Sequence, residues 1–149
     1  MKTTPELQDV IIRLAKKHGF DLNQSEHCLK LYLDGFMSLV IERIAPDQIS
    51  VWHYQLHGDR MRDPEVVFFT GQEQWVPLRL EQSPGVCQFI MTATDDNASI
   101  ETIASIRQAD LTRYCRIWAH NLHRQGWVEH SRRYSPMFTQ KGWLEHSCR

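Results

Sequence analysis

Between Cys28 and Met91 the chain reads as six short apolar or alternating runs, and no connection between consecutive runs is long enough to carry a crossover. Parallel neighbours need a dozen or more residues between them, usually a helix, so strands this closely spaced must pair antiparallel. The first run alternates Leu29, Leu31 and Leu33 with Cys28, Lys30 and Tyr32, and Asp34-Gly35 separates it from Phe36 to Ile44. An Asp-Gly pair between two such runs is hairpin turn chemistry. Ala45-Pro46-Asp47-Gln48 leads into Ile49 to Leu56, whose β-branched and aromatic residues mark a third strand. Glu65 to Thr70, Trp75 to Gln82 and Val86 to Met91 follow, divided by turns at Gly71 to Gln74 and Ser83-Pro84-Gly85. Pro77 has no amide hydrogen to give, which predicts that its strand lies near a sheet edge.

One face of such a meander has to be covered, and flanking helices supply the cover. Glu6 to His18 places Leu7, Val10, Ile11 and Leu14 at helical spacing, with Thr4 as N-cap, Pro5 in the first turn and Gly19 just past the end. A second helical region is expected after Asp95-Asp96-Asn97, with Ile100, Ile103 and Ala104 on one face and an interruption near Gln108-Ala109-Asp110, where Asp110 can cap a fresh helix. In that helix Leu111, Tyr114, Cys115, Trp118 and Leu122 form the apolar stripe, Arg113, Arg116 and Arg124 fall outside it, and Gly126 stops it. The expected fold class is therefore α+β: a six-stranded antiparallel meander flanked by an N-terminal helix and C-terminal helices. Residues 1–126 form the domain and 127–149 a C-terminal extension that can pack on it.

The bulk composition excludes several classes. A chain of 149 residues, 42% hydrophobic and 23% charged, is that of an ordinary globular domain, and no apolar run approaches the roughly 20 residues of a membrane-spanning helix. Met1 to Glu6 lacks the pattern of a secretory signal, so a cytoplasmic location and no membrane partner are expected. Cys28, Cys87, Cys115 and Cys148 are far apart with no C-x-x-C pair, and they read as reduced structural thiols. Charge is uneven: residues 1–105 carry 9 basic and 15 acidic side chains, and residues 106–149 carry 8 and 3. That asymmetry points to an anionic partner near the C-terminal part, or to attraction between two parts of one fold.

The polar segment from His53 to Glu65 concentrates charge between two strands, where sites usually sit. Asp59, Arg60, Arg62 and Asp63 offer carboxylates and planar guanidinium forks to a protein partner, against the plain alternative of a solvated loop with internal ion pairs. His53, His57, Asp59 and Asp63 are also metal-ligand types, but His53 and His57 would stand about 13 Å apart along an extended strand, too far for one ion. No Gly-x-Ser-x-Gly elbow, phosphate-binding loop or dinucleotide fingerprint is present. No catalytic residue and no cofactor are therefore assigned, and the chain reads as a non-enzyme.

Beyond Gly126, the stretch Gln125-Gly126-Trp127-Val128-Glu129-His130-Ser131 is echoed by Lys141-Gly142-Trp143-Leu144-Glu145-His146-Ser147. Trp127 and Trp143 are candidate partner-binding anchors, core or tail packing being the plainer role for each. The order helix, Gly-Trp-Val-Glu, Arg132-Arg133-Tyr134 and Phe138 to Gly142 resembles the recognition helix and wing of winged-helix DNA-binding proteins. That resemblance makes Arg113, Arg116, Arg124, Arg132, Arg133 and Lys141 the phosphate-facing set.

Phe36-Met37-Ser38-Leu39-Val40-Ile41-Glu42-Arg43, His53-Tyr54, Gly58-Asp59-Arg60-Met61-Arg62-Asp63-Pro64-Glu65 and Trp118 to Gly126 carry a broader likeness. Over roughly residues 28 to 126 the chain resembles an uncharacterised domain-of-unknown-function family of small bacterial and mobile-element proteins. The resemblance implies a fold and a genomic setting without a reaction. The expected function is a non-enzymatic protein-interaction or regulatory module with an unidentified protein partner. The alternatives are nucleic-acid binding through the basic C-terminal part and metal-dependent hydrolysis at His53, His57, Asp59 and Asp63.

Overall fold

The computed structural model describes residues 3–24, 28–55, 61–82, 86–89, 91–93, 100–102 and 105–133. Six strands form the expected meander: β1 (Cys28–Tyr32), β2 (Ser38–Ala45), β3 (Gln48–Gln55), β4 (Met61–Phe69), β5 (Val76–Gln82) and β6 (Val86–Phe89). Each pairs antiparallel with the next. Helix α1 (Pro5–Lys17) precedes them. A small hairpin of β7 (Met91–Ala93) and β8 (Ile100–Thr102), then α2 (Ser105–Gln125), α3 (Trp127–His130) and β9 (Arg132–Arg133), follow. The short β9 pairs with β1, so the sheet order is β6-β5-β4-β3-β2-β1-β9. The fold is α+β as expected, enlarged by one strand from the C-terminal tail.

Three local expectations are corrected. Ile100 to Thr102 is a strand, and α2 begins at Ser105 and runs unbroken through Asp110, which lies inside the helix instead of capping it. Pro77 does lie near an edge, as expected: β5 is the penultimate strand, and the edge strand β6 pairs only with Arg79 to Gln82. The β4–β5 register slips beside it, with Leu78 the extra residue between the pairs Val67/Arg79 and Phe68/Pro77. Pro64 repeats the device: Trp52 pairs with Glu65 and Tyr54 with Arg62, so Asp63 and Pro64 together oppose His53. Strand β4 therefore starts at Met61, four residues earlier than its apolar run suggests.

Strand parity assigns the two faces. Leu29, Leu31, Leu39, Ile41, Ile49, Val51, Val66 and Phe68 cluster with Leu7, Val10, Ile11 and Leu14 of α1 and with Leu111, Cys115, Trp118 and Leu122 of α2. Each fully buried side chain of this size contributes about 1.5–3 kcal/mol. On the other face Val40 and Trp52 are buried with Cys28 against them. The burial of both faces explains why β2 and β4 carry uninterrupted apolar runs instead of alternating.

Helix α1 is secured at both ends. Thr4 holds the N-cap position without a side-chain cap bond. The end is fixed by Gln8, whose Nε2 donates to Glu73 O (2.9 Å) and whose Oε1 accepts from Trp75 N (2.9 Å). At the other end Gly19, with φ 65°, permits a Schellman arrangement in which Phe20 N donates to Ala15 O and Gly19 N to Lys16 O. Cys115 is free and buried, and burial pushes its thiol far above the ordinary cysteine range. Cys28 is disulfide-bonded, which corrects the expectation of reduced thiols at that position. Distance in sequence does not prevent a pairing that the fold brings about.

Candidate interaction surface

The strand register brings several connections to one end of the sheet. Ser38 at the start of β2 pairs with Tyr54 near the end of β3, and Tyr54 pairs with Arg62 near the start of β4. The β1–β2 turn and the connector after Gln55 therefore leave the sheet at the same end. The turn is closed by Phe36 N donating to Leu33 O (3.1 Å), with Gly35 at φ 87°, a conformation that suits the Asp-Gly pair. Phe36 and Met37 emerge from it 44% and 41% exposed.

Behind this turn lies an aromatic base. His53 is flanked by Trp118 and Trp127, with ring centroids 5.5 and 5.8 Å away, and Phe36 lies 6.4 Å from Trp127. Hydrogen bonds select the histidine tautomer. Trp118 Nε1 can only donate, and it points at His53 Nε2 (3.3 Å), which must therefore accept. His53 Nδ1 carries the proton and faces the carbonyls of Met37 (3.2 Å) and Ser38 (3.3 Å). The imidazole thus joins the exposed turn to the core of α2 with both nitrogens engaged, an arrangement unsuited to a metal ligand. Among the described residues no group of three or more His, Cys, Asp or Glu side chains could hold a metal ion.

Trp127 is fully buried. Gly126, with φ 88°, ends α2 and starts the short α3, and Trp127 Nε1 donates to Gln125 Oε1 (2.9 Å). The tail as far as Arg133 docks on the sheet; Phe138 to Gly142, which the winged-helix likeness includes, lie outside the described residues. Arg132 meets Asp34 (3.1 Å) and lies over the Tyr32 ring, and Arg133 donates to His18 O (2.9 Å) and lies over Phe20. Lys17 donates to Val128 O (2.6 Å), and His18 Nε2 is 3.0 Å from Ser131 Oγ. Burial, then the charges of Lys17 and Arg133, hold the His18 imidazole below its ordinary pKa. Arg132 and Arg133 remain solvent-exposed while serving this seam.

The other expected residues fall as follows. Arg62 and Asp63 belong to the backbone of β4, and Arg113, Arg116 and Arg124 are exposed on α2. His57, Asp59, Arg60, Lys141 and Trp143 lie outside the described residues. Sequence reasoning missed a buried polar group on the face opposite the helices. Glu65 and Ser50 are both fully buried. Ser50 Oγ donates to Glu65 Oε2, and Arg79 Nη2 is 3.7 Å from Glu65 Oε1. Their shared parity with Val67 was the available signal, hidden because Glu65 is a charged residue at the start of its expected strand, where exposure is the ordinary reading.

Among the described residues no helix is long and apolar enough to cross a membrane. No curated protein and no solved structure matches the chain. A family model matches residues 9–128, from within α1 to the second residue of α3, and by that match the chain belongs to the family described as Domain of unknown function (DUF6908).

Proposed function

We propose that the chain is a non-enzymatic protein-interaction module whose contact surface is the sheet end built around Phe36 and Met37. The observation that carries this reading is an exposed aromatic and an exposed methionine on a hydrogen-bonded turn, backed by a rigid base of His53, Trp118 and Trp127. Such side chains are enriched at the centres of protein interfaces, and a pre-ordered turn loses little entropy on binding. The fitting partner is a folded protein with an apolar recess. Arg62 and Asp63, near the start of β4, are assigned to the polar rim together with Asp59 and Arg60, which precede that strand in the sequence. A mobile-element setting belongs to the same proposal and is checked by the neighbouring genes.

The test compares the wild-type chain with Phe36→Asp/Met37→Asp as bait in producing cells, followed by titration of any differential partner in purified form. Both side chains are exposed, so the variant should melt with the wild type. The expected result is a partner whose purified affinity falls at least about tenfold in the variant, within the range of hot-spot losses. A partner that binds both forms equally would overturn the assignment.

A further inference from the structure

The outer face of α2 carries a row of three arginines and a histidine that the sheet-end surface does not use. Arg113, Arg116, His120 and Arg124 are all exposed, at helical spacings of three, four and four residues. At about 100° per residue, Arg113, His120 and Arg124 fall within about 20° of one line along the helix, and Arg116 lies about 60° to one side. The buried residues Leu111, Cys115, Trp118 and Leu122 lie on the opposite side, so the row faces away from the sheet. Asp110, exposed one turn before Arg113, is the one acidic residue of α2, and from Leu111 to Val128 there is none. Among the described residues no carboxylate pairs with any of these four, in contrast to Arg13 with Asp9 and Arg132 with Asp34.

We propose that this face binds the phosphodiester backbone of a duplex nucleic acid. Three arginines over about 16 Å of helix match a ligand that presents anions at short, regular intervals; a duplex offers a phosphate about every 3.4 Å along each strand. An acidic protein patch would have to reproduce that spacing with carboxylates from separate residues. All three fixed cations are arginine, whose planar fork engages phosphate oxygens bidentately. Ile117, 54% exposed on the same side, is one apolar side chain and supplies too little surface for a hydrophobic docking site. It can rest against a sugar. Binding of this kind reads backbone and not sequence. The site is separate from the one proposed around Phe36 and Met37.

The test titrates the full chain with labelled duplex DNA and duplex RNA of mixed sequence at salt concentrations from 50 to 200 mM. Three phosphate contacts give a log–log salt slope of about −2.7 and an affinity loss of about 40-fold over that range. Arg113→Gln alone should lower the slope by about 0.9, and Arg113→Gln/Arg116→Gln/Arg124→Gln should remove binding while the melting temperature stays put. Binding to either duplex supports the proposal, and the tighter one names the natural backbone. Phe36→Asp/Met37→Asp should bind duplex like the wild type, so this surface and the sheet-end surface fail independently. Absence of binding at 50 mM salt, a slope unchanged in the triple variant, or equal affinity for polyglutamate or anionic lipid vesicles would overturn it.

Discussion

Replacing Trp127 with alanine asks whether the tail is part of the folding unit or an appendage to it. The indole is fully buried, belongs to the same apolar cluster as α1, α2 and the sheet, and touches both His53 and Phe36. A buried tryptophan removes about 200 Å² or more from water, worth about 5 kcal/mol at 25 cal/mol per Å², as an upper bound. Alanine keeps part of that and leaves a cavity, so Trp127→Ala should cost about 3–5 kcal/mol. In a chain of this size that corresponds to a fall in Tm of about 10 °C or more.

Equilibrium urea unfolding followed by tryptophan fluorescence reads the loss as a shift in midpoint at constant m-value. Hydrogen exchange should show the same variant losing protection at Leu31 and Tyr32, whose strand partners are Arg133 and Arg132. Trp127→Phe separates packing from polarity: it keeps most of the volume, loses the donor to Gln125 and should cost about 1 kcal/mol. A Trp127→Ala loss below about 1 kcal/mol, with β1 still protected, would refute the view that this residue pins the tail to the core.

Three further outcomes follow from the geometry. The unfolded chain protonates His18 more readily than the folded one, so the stability from its neutral form is fully present above about pH 6.5 and is lost as pH falls below it; urea midpoints at pH 7.5 and 5.5 should differ less in His18→Gln than in the wild type. Gly126→Ala should cost more than Gly19→Ala in thermal unfolding. Both positions have positive φ, worth about 1–2 kcal/mol each, but a Cβ at 126 meets His130 Cδ2 at 3.0 Å whereas one at 19 meets nothing within 4 Å. Ser50→Ala removes a donor from the buried Glu65 carboxylate and should cost about 1–3 kcal/mol in urea unfolding.

The strands were legible because turn chemistry and short connections leave an antiparallel meander as their only arrangement, and α1 because both its ends are signalled. What escaped was whatever depends on register. Pro77 marks a strand near the edge, as it reads, but the bulge beside it leaves no sign in the sequence. Ile100, Ile103 and Ala104 fit helical spacing, and a strand of three residues is too short to show an alternation against it. Glu65 reads as the exposed start of a strand until the register sets it beside Trp52, on one face with Ser50 and Arg79. Charge shows the same limit. The excess of arginine after residue 105 is visible as a sum, but the sum merges two populations that only the fold separates. Arg132 and Arg133 find Asp34 and the His18 carbonyl, and their positive charge helps hold a tail on a sheet edge. Arg113, Arg116 and Arg124 face outward from a helix whose one acidic residue, Asp110, precedes them all. A polyanion that displaced the counterions around these arginines would gain from their release.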